Sequence, residues 1–227
     1  MKAEQVIVEI ANNHPEIAEY MFCIYEPLIY EFELELAEEG AISESRGPKR
    51  SFWVPRRDIL PSSHSGTGFL SILKKRYMLD DYEALGIASK VRITSGRELH
   101  LPLIDFCCKK LDDGQEESNT NLERNLERNL ERMVIALEGL GLKEGYILDS
   151  GNFYHFIGGE IINPERYKEL LQQMQRHSVI GEKWPEHQLA MEFAVLRVLA
   201  CPVAGKPFDP ELVLRCENTQ LSFPFTA

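Results

Sequence analysis

Four residues have types and spacing suited to phosphate chemistry. Asp105 ends an apolar run, LPLIDF, while Ser150, Gly151 and His155 fall within LDSGNFYHFIGG. A carboxylate at a strand end can hold a divalent cation, which would neutralise charge developing on a triphosphate. A Ser-Gly turn can present a hydroxyl and main-chain N–H groups to phosphate oxygens. An imidazole beside it can donate to another. Each residue also has a plainer reading: Asp105 as a turn residue or helix N-cap, His155 as a hydrogen-bonded core histidine, and Ser150-Gly151 as an ordinary tight turn. Arg197 stands in the apolar segment AVLRVLACPVAGKP, together with Lys206. A buried guanidinium needs an anionic partner, and a protein carboxylate would serve as well as a phosphate.

The surrounding pattern supplies elements to position them. Apolar residues at helical spacing (Val6, Ile10, Ile17, Tyr20, Met21) predict a helix over residues 2–24, broken at Pro15. LIYEFELELAEEG alternates with period two and predicts a strand, with SFWVP (51–55) returning after the Gly47-Pro48 turn. Residues 56–68 read as a long polar loop, and 67–77 as a helix with a cationic end. Two strands, 90–94 and 98–106, are joined at Ser95-Gly96. The tetrad NLER then repeats three times from Asn121 to Arg132. It predicts an amphipathic helix with one stripe of leucines and another of Arg124, Arg128 and Arg132. Those arginines could grip phosphates, or simply be solvated and balanced by the neighbouring glutamates. A strand at 145–148 leads to Asp149-Ser150-Gly151, and Phe153 to Ile157 leaves as its hairpin partner. Helices follow from Pro164 to about His177 and from Pro185 to about Val195, the prolines suiting a first turn. A strand covers 196–201, and FDPELVLRCEN forms a last helix or strand.

Composition narrows the class. The 227 residues carry a formal net charge of -11, 44% hydrophobic and 27% charged residues, as in an ordinary globular protein. The charge is uneven: between Arg46 and Lys110 there are 13 Lys/Arg against 6 Asp/Glu. That basic middle is either a footprint for phosphates or one of two solvated faces that neutralise each other. No secretory leader or membrane span is legible, and five cysteines without CxxC spacing suit reduced thiols, so a cytoplasmic protein is expected. The G-x-S-x-G elbow, the P-loop and the dinucleotide fingerprint are all missing.

A strand ending in an aspartate, a helix, then a strand pair bearing SGNFYH resembles the archaeo-eukaryotic primase superfamily. LPLIDF is similar to its first motif, SGNFYH to its Ser-x-His hairpin, and the Arg197–Lys206 segment to its later phosphate-contacting strand. The resemblance spans roughly residues 90–215. It implies an α/β (α+β) fold: a primase-like catalytic core with an RRM-like β-α-β-hairpin unit and a mixed or antiparallel sheet flanked by helices. It implies one domain over 1–227, with residues 1–89 as an N-terminal half bearing the basic stretch and 90–227 as the motif-bearing half. By the same resemblance Asp105 and His155 are catalytic, with Mg²⁺ or Mn²⁺ held by Asp105 and His187. Ser150, Gly151, Arg197 and Lys206 bind the nucleotide, and Arg56, Arg57, Lys74, Lys75 and Arg76 hold DNA. The implied activity is template-dependent nucleotidyl transfer in DNA replication, with nucleotides, DNA and a protein partner as ligands and no membrane. The pattern departs from the superfamily where it matters for the metal. The usual second acid of the first motif is replaced by Leu103 or Cys107, and the third acid's neighbourhood offers Glu186 and His187. A catalytically inactive nucleic-acid or protein interaction module on the same scaffold is the alternative expectation.

Overall fold

The computed structural model describes residues 1–25, 48–60, 68–108, 119–151, 153–181, 183–202 and 206–217. The predicted strand in 28–40 lies outside these residues. Six helices and nine strands are described: α1 (Ala3–Asn13), β1 (Ile17–Tyr25), β2 (Arg50–Pro55), α2 (Arg56–Ile59), α3 (Phe69–Arg76), β3 (Ala84–Ile93), β4 (Glu98–His100), β5 (Leu103–Phe106), α4 (Asn119–Gly139), β6 (Gly145–Asp149), β7 (Tyr154–Gly158), α5 (Pro164–Met174), α6 (Lys183–Met191), β8 (Val195–Arg197) and β9 (Glu211–Cys216).

They build two antiparallel sheets. The first runs β2-β1-β3-β4, with β8 also pairing β3; the second runs β5-β7-β6-β9. In the second, β5 and β6 both run antiparallel to β7 and flank it, so they are parallel to one another with α4 as the crossover. That is the expected β-α-β-hairpin unit. The chain is mixed α+β, as its sequence implied.

Several elements differ from expectation. The N-terminal helix stops at Asn13, and residues 17–25 form β1, the strand between β2 and β3. Tyr20, Phe22 and Ile24 enter the main core, while Met21 and Cys23 pack on the opposite face with Ala88, Trp53 and Phe193. A strand covered on both faces carries a continuous apolar run, which periodicity cannot distinguish from a buried helix. Residues 56–59, expected within a loop, form the short helix α2. The run 98–106 splits at Leu101-Pro102: β4 stays in the first sheet and β5 enters the second. Thus one short segment carries the chain from one sheet to the other just before Asp105.

The main core draws on both sheets and on α1, α3, α4 and α5. In α4, Leu130, Met133 and Leu137 are buried, while Arg124, Arg128 and Arg132 are exposed. The tetrad asparagines Asn125 and Asn129 are buried as well, and Asn129 hydrogen-bonds Tyr154 on β7. Glu4 of α1 caps α3 from a distance, its Oε1 accepting from the Leu70 N–H at 2.8 Å. Among the described residues, no helix is long and apolar enough to cross a membrane.

Candidate functional site: a recess where the two sheets meet

Asp105 and His155 are register partners across β5 and β7. Their side chains therefore leave the same face, and His155 Nε2 lies 3.6 Å from Asp105 Oδ1, a contact longer than a hydrogen bond. Asp105 sits deep in the protein mass, yet 39% of its side chain is open to solvent. Depth combined with access describes the floor of a recess. His155 is more enclosed, and the main chain of Arg197 lies close to its ring.

Two cations share this floor. Arg197 ends β8, which pairs with β3 in the first sheet. Its Nη1 donates to the carbonyls of Leu199 (2.6 Å) and Phe208 (3.0 Å), and its Nη2 donates to the carbonyl of Ser150. The anionic partner expected for this buried guanidinium is replaced by three main-chain carbonyls. Charge-assisted bonds to carbonyl dipoles satisfy it without a carboxylate. Lys206 is held by reciprocal main-chain bonds with Cys201 (2.7 and 3.1 Å). Its stem passes 3.8 Å from where a Cβ on Gly151 would stand, and its ammonium lies 5.6 Å from the centre of the Phe153 ring. Among the described residues that ammonium has neither an ion pair nor a hydrogen bond.

The Ser150-Gly151 turn is internally satisfied. Both the N–H and the hydroxyl of Ser150 donate to the Phe153 carbonyl (3.0 and 3.1 Å), and the Gly151 N–H donates to Asp149 Oδ1 at 2.8 Å. Gly151 has φ +111°, a conformation that favours glycine. The turn's donors therefore face inward, where the sequence suggested that they face a ligand.

Electrostatics follow from this arrangement. Burial pushes the Asp105 carboxyl up to about 7, against the pull of Lys206 and Arg197. Burial, reinforced by Arg197 and Lys206, pushes His155 down to about 3. The imidazole is therefore neutral at pH 7, and its contact with Asp105 is not an ion pair. Burial also lowers Lys206, as does Arg197, while Asp105 raises it.

Tyr25 belongs to the same neighbourhood and was not legible in the sequence. It ends β1, burial raises its phenol well above the ordinary value, and the charges of Arg197 and Asp105 both act on it. A Cβ on Gly86 would come within 2.9 Å of its ring and 2.4 Å of Val195. The missing side chain at Gly86 thus lets Tyr25 and β8 approach β3 together.

The metal reading is not matched by the donors. Hard dications take about six oxygen ligands, commonly several carboxylates. Here one carboxyl is flanked by two cations, and its charge partners are Lys206 and Arg197 rather than His187. His187 is half-buried on α6, where burial lowers its pKa. Among the described residues no group of three or more His, Cys, Asp or Glu could hold an ion. The residues present do not fit a Mg²⁺ or Mn²⁺ centre built on Asp105 and His187.

The expected basic face divides. Asp58 lies within 3.8 Å of Arg57 and 3.7 Å of Arg76, so α2 and the end of α3 present their cations together, with Lys74 and Lys75 exposed alongside. Arg56 turns inward, its Nε donating to the Ala11 carbonyl in the last turn of α1. It thereby fills one of the acceptors a helix end leaves unpaired.

Comparison with known proteins bears on the same region. No curated protein and no solved structure matches the chain. A family profile described as archaeo-eukaryotic primase 1D-like matches residues 67–203, more than half of the sequence and a span that holds Asp105, Ser150, His155 and Arg197. The chain belongs to this AEP-like family of primase-related proteins.

Proposed function

We propose that this primase-like chain binds the phosphates of nucleotides and of DNA without a resident metal, and that binding rather than nucleotidyl transfer is its activity. The observation that carries this reading is the charge inventory of the recess. Among the described residues, two cations, Arg197 and Lys206, and one neutral histidine surround the Asp105 carboxyl, which is only partly charged at neutral pH. Such a floor attracts an anion directly and, among the described residues, offers too few acids for two-metal chemistry. Lys206, whose ammonium makes no hydrogen bond or ion pair among the described residues, is the group that meets the phosphate. Arg197 acts chiefly through its field, since three carbonyls already take three of its five N–H donors. The cations of Arg57, Lys74, Lys75 and Arg76 extend the attraction to the backbone of a DNA strand.

The test measures binding of ATP and of a labelled single-stranded oligonucleotide in EDTA, alongside primer synthesis with Mg²⁺ or Mn²⁺. Wild type binds both ligands without metal, and Lys206→Ala loses most of the ATP affinity. Asp105→Asn keeps that affinity, and neither wild type nor variant makes primer. Binding that requires the metal and disappears in Asp105→Asn overturns the proposal, as does synthesis by wild type or a complete lack of binding.

A further inference from the structure

β3 changes partners along one edge. Residues Gly86–Ala88 pair with β8, and residues Lys90–Arg92 pair with β4. Ser89 stands between the two pairings and is fully buried. Its main chain serves both neighbours: its N–H donates to the Ala194 carbonyl at 2.8 Å, and its carbonyl accepts from Leu101 at 2.8 Å. Its hydroxyl repeats the double link. Oγ accepts from the Ala194 N–H at 3.1 Å and lies 3.1 Å from His100 Nδ1.

Burial, with Lys90 nearby, pushes His100 down to about 4, so the imidazole is neutral. The Ser89 oxygen accepts from the Ala194 N–H and has a second lone pair, so the bond to His100 forms with either Oγ or Nδ1 as the donor. His100 is seated against Tyr167 of α5, ring centres 4.0 Å apart and nearly parallel. The Tyr167 hydroxyl reaches the vicinity of Ser89 and Ala194 without hydrogen-bond geometry. The main chain of His100 exchanges two bonds with Ile162, fixing it from the other side.

The two segments joined at Ser89 lead into strands that carry the recess, β8 with Arg197 and β5 with Asp105. Ala194 lies three residues before Arg197, and Leu101 lies four residues before Asp105. We infer that the buried Ser89–His100 pair is a positioning device that sets Arg197 of the first sheet against Asp105 of the second, with Ser89 as its hub. Neither residue reaches the recess, so the pair acts through the strands. Cleavage chemistry at this serine and histidine is excluded by access: Ser89 is 0% and His100 3% exposed. The functional consequence rests on the anion-binding reading above, whereas the geometric one does not.

Ser89→Ala is the test, compared with wild type and with Leu73→Ala, a core truncation on α3. Three quantities are read: thermal midpoint, the slowly exchanging side-chain N–H resonance of Arg197 in the ligand-free protein, and ATP affinity in EDTA. Both variants lower the midpoint. Only Ser89→Ala displaces the Arg197 resonance, speeds its exchange about tenfold and weakens ATP about tenfold. An Arg197 resonance that stays at its wild-type position, while the midpoint falls as in Leu73→Ala, overturns the inference. Wild type that fails to bind ATP sinks the anion-binding reading alone and leaves the resonance result standing. Should Ser89→Ala not fold, His100→Phe keeps the ring stacked on Tyr167, removes Nδ1, and is read in the same way.

Discussion

The guanidinium of Arg197, carried by the first sheet, is bonded to the main-chain carbonyl of Ser150 at the end of a strand in the second. With Leu199 and Phe208 it gives three charge-assisted bonds from one side chain that is 6% exposed. Arg197→Met leaves three carbonyls without that donor. Urea unfolding shows a loss of about 3 kcal/mol, within the range for breaking a buried charged network. A loss below 1 kcal/mol would mean that the sheets are not held together there.

Asp105 gives the recess its pH dependence. A carboxyl pushed up to about 7 is increasingly protonated below that pH and increasingly charged above it. An anion is repelled only by the charged form. ATP therefore binds more tightly at pH 6 than at pH 8, and Asp105→Asn binds at least as tightly with that difference flattened. Calorimetric titration at the two pH values checks both statements.

Stability carries two opposed pH contributions from the same pair. The raised Asp105 favours folding below its unfolded value near 4 and loses that contribution as pH rises to about 7. The depressed His155 does the reverse: its contribution is present above about 6.5 and lost as pH falls toward 3. Between about pH 4 and 6.5 they offset one another. Asp105→Asn removes one side, so stability in the variant climbs more steeply with pH across that window than in wild type. Unfolding midpoints in urea at pH 4, 5 and 6.5 would reveal an unchanged slope if the carboxyl were not raised.

Lys206 separates binding from folding. Its ammonium holds no ion pair among the described residues, so Lys206→Ala shifts the unfolding free energy by no more than about 0.5 kcal/mol. Its effect appears in the salt dependence of oligonucleotide binding. The slope of log K against log salt becomes shallower by roughly 0.7 for each single-strand phosphate that the variant no longer neutralises.

The tetrad repeat makes a contrasting pair. Asn129 is buried and bonded to Tyr154, so Asn129→Ala costs about 1 kcal/mol. Arg124, two tetrads earlier and exposed, changes stability by less than about 0.5 kcal/mol when truncated to alanine. Equal costs in chemical denaturation would contradict the helix orientation.

Local pattern settled much of this molecule. Glycines and prolines bound most of the elements, the leucine stripe of the NLER helix fixed its buried face, and the order aspartate-strand, helix, SGNFYH hairpin marked the family. What those signals could not carry was environment. β1 reads as helix because MFCIY is apolar at every position, and only the cover on both faces makes it a strand. Arg197 reads as a residue awaiting an anion because carbonyls contributed by Ser150 and Phe208 are invisible along the chain. Tyr25, Ser89 and Lys206 gain their roles from neighbours 80, 105 and 55 residues away, namely Asp105, Ala194 and Gly151. Residue type and spacing determined that Asp105 and His155 would stand on partnered strands. The tertiary structure alone decided that two cations would join them and no further acid among the described residues would, because charge state and ligand preference depend on what the fold brings within a few ångströms.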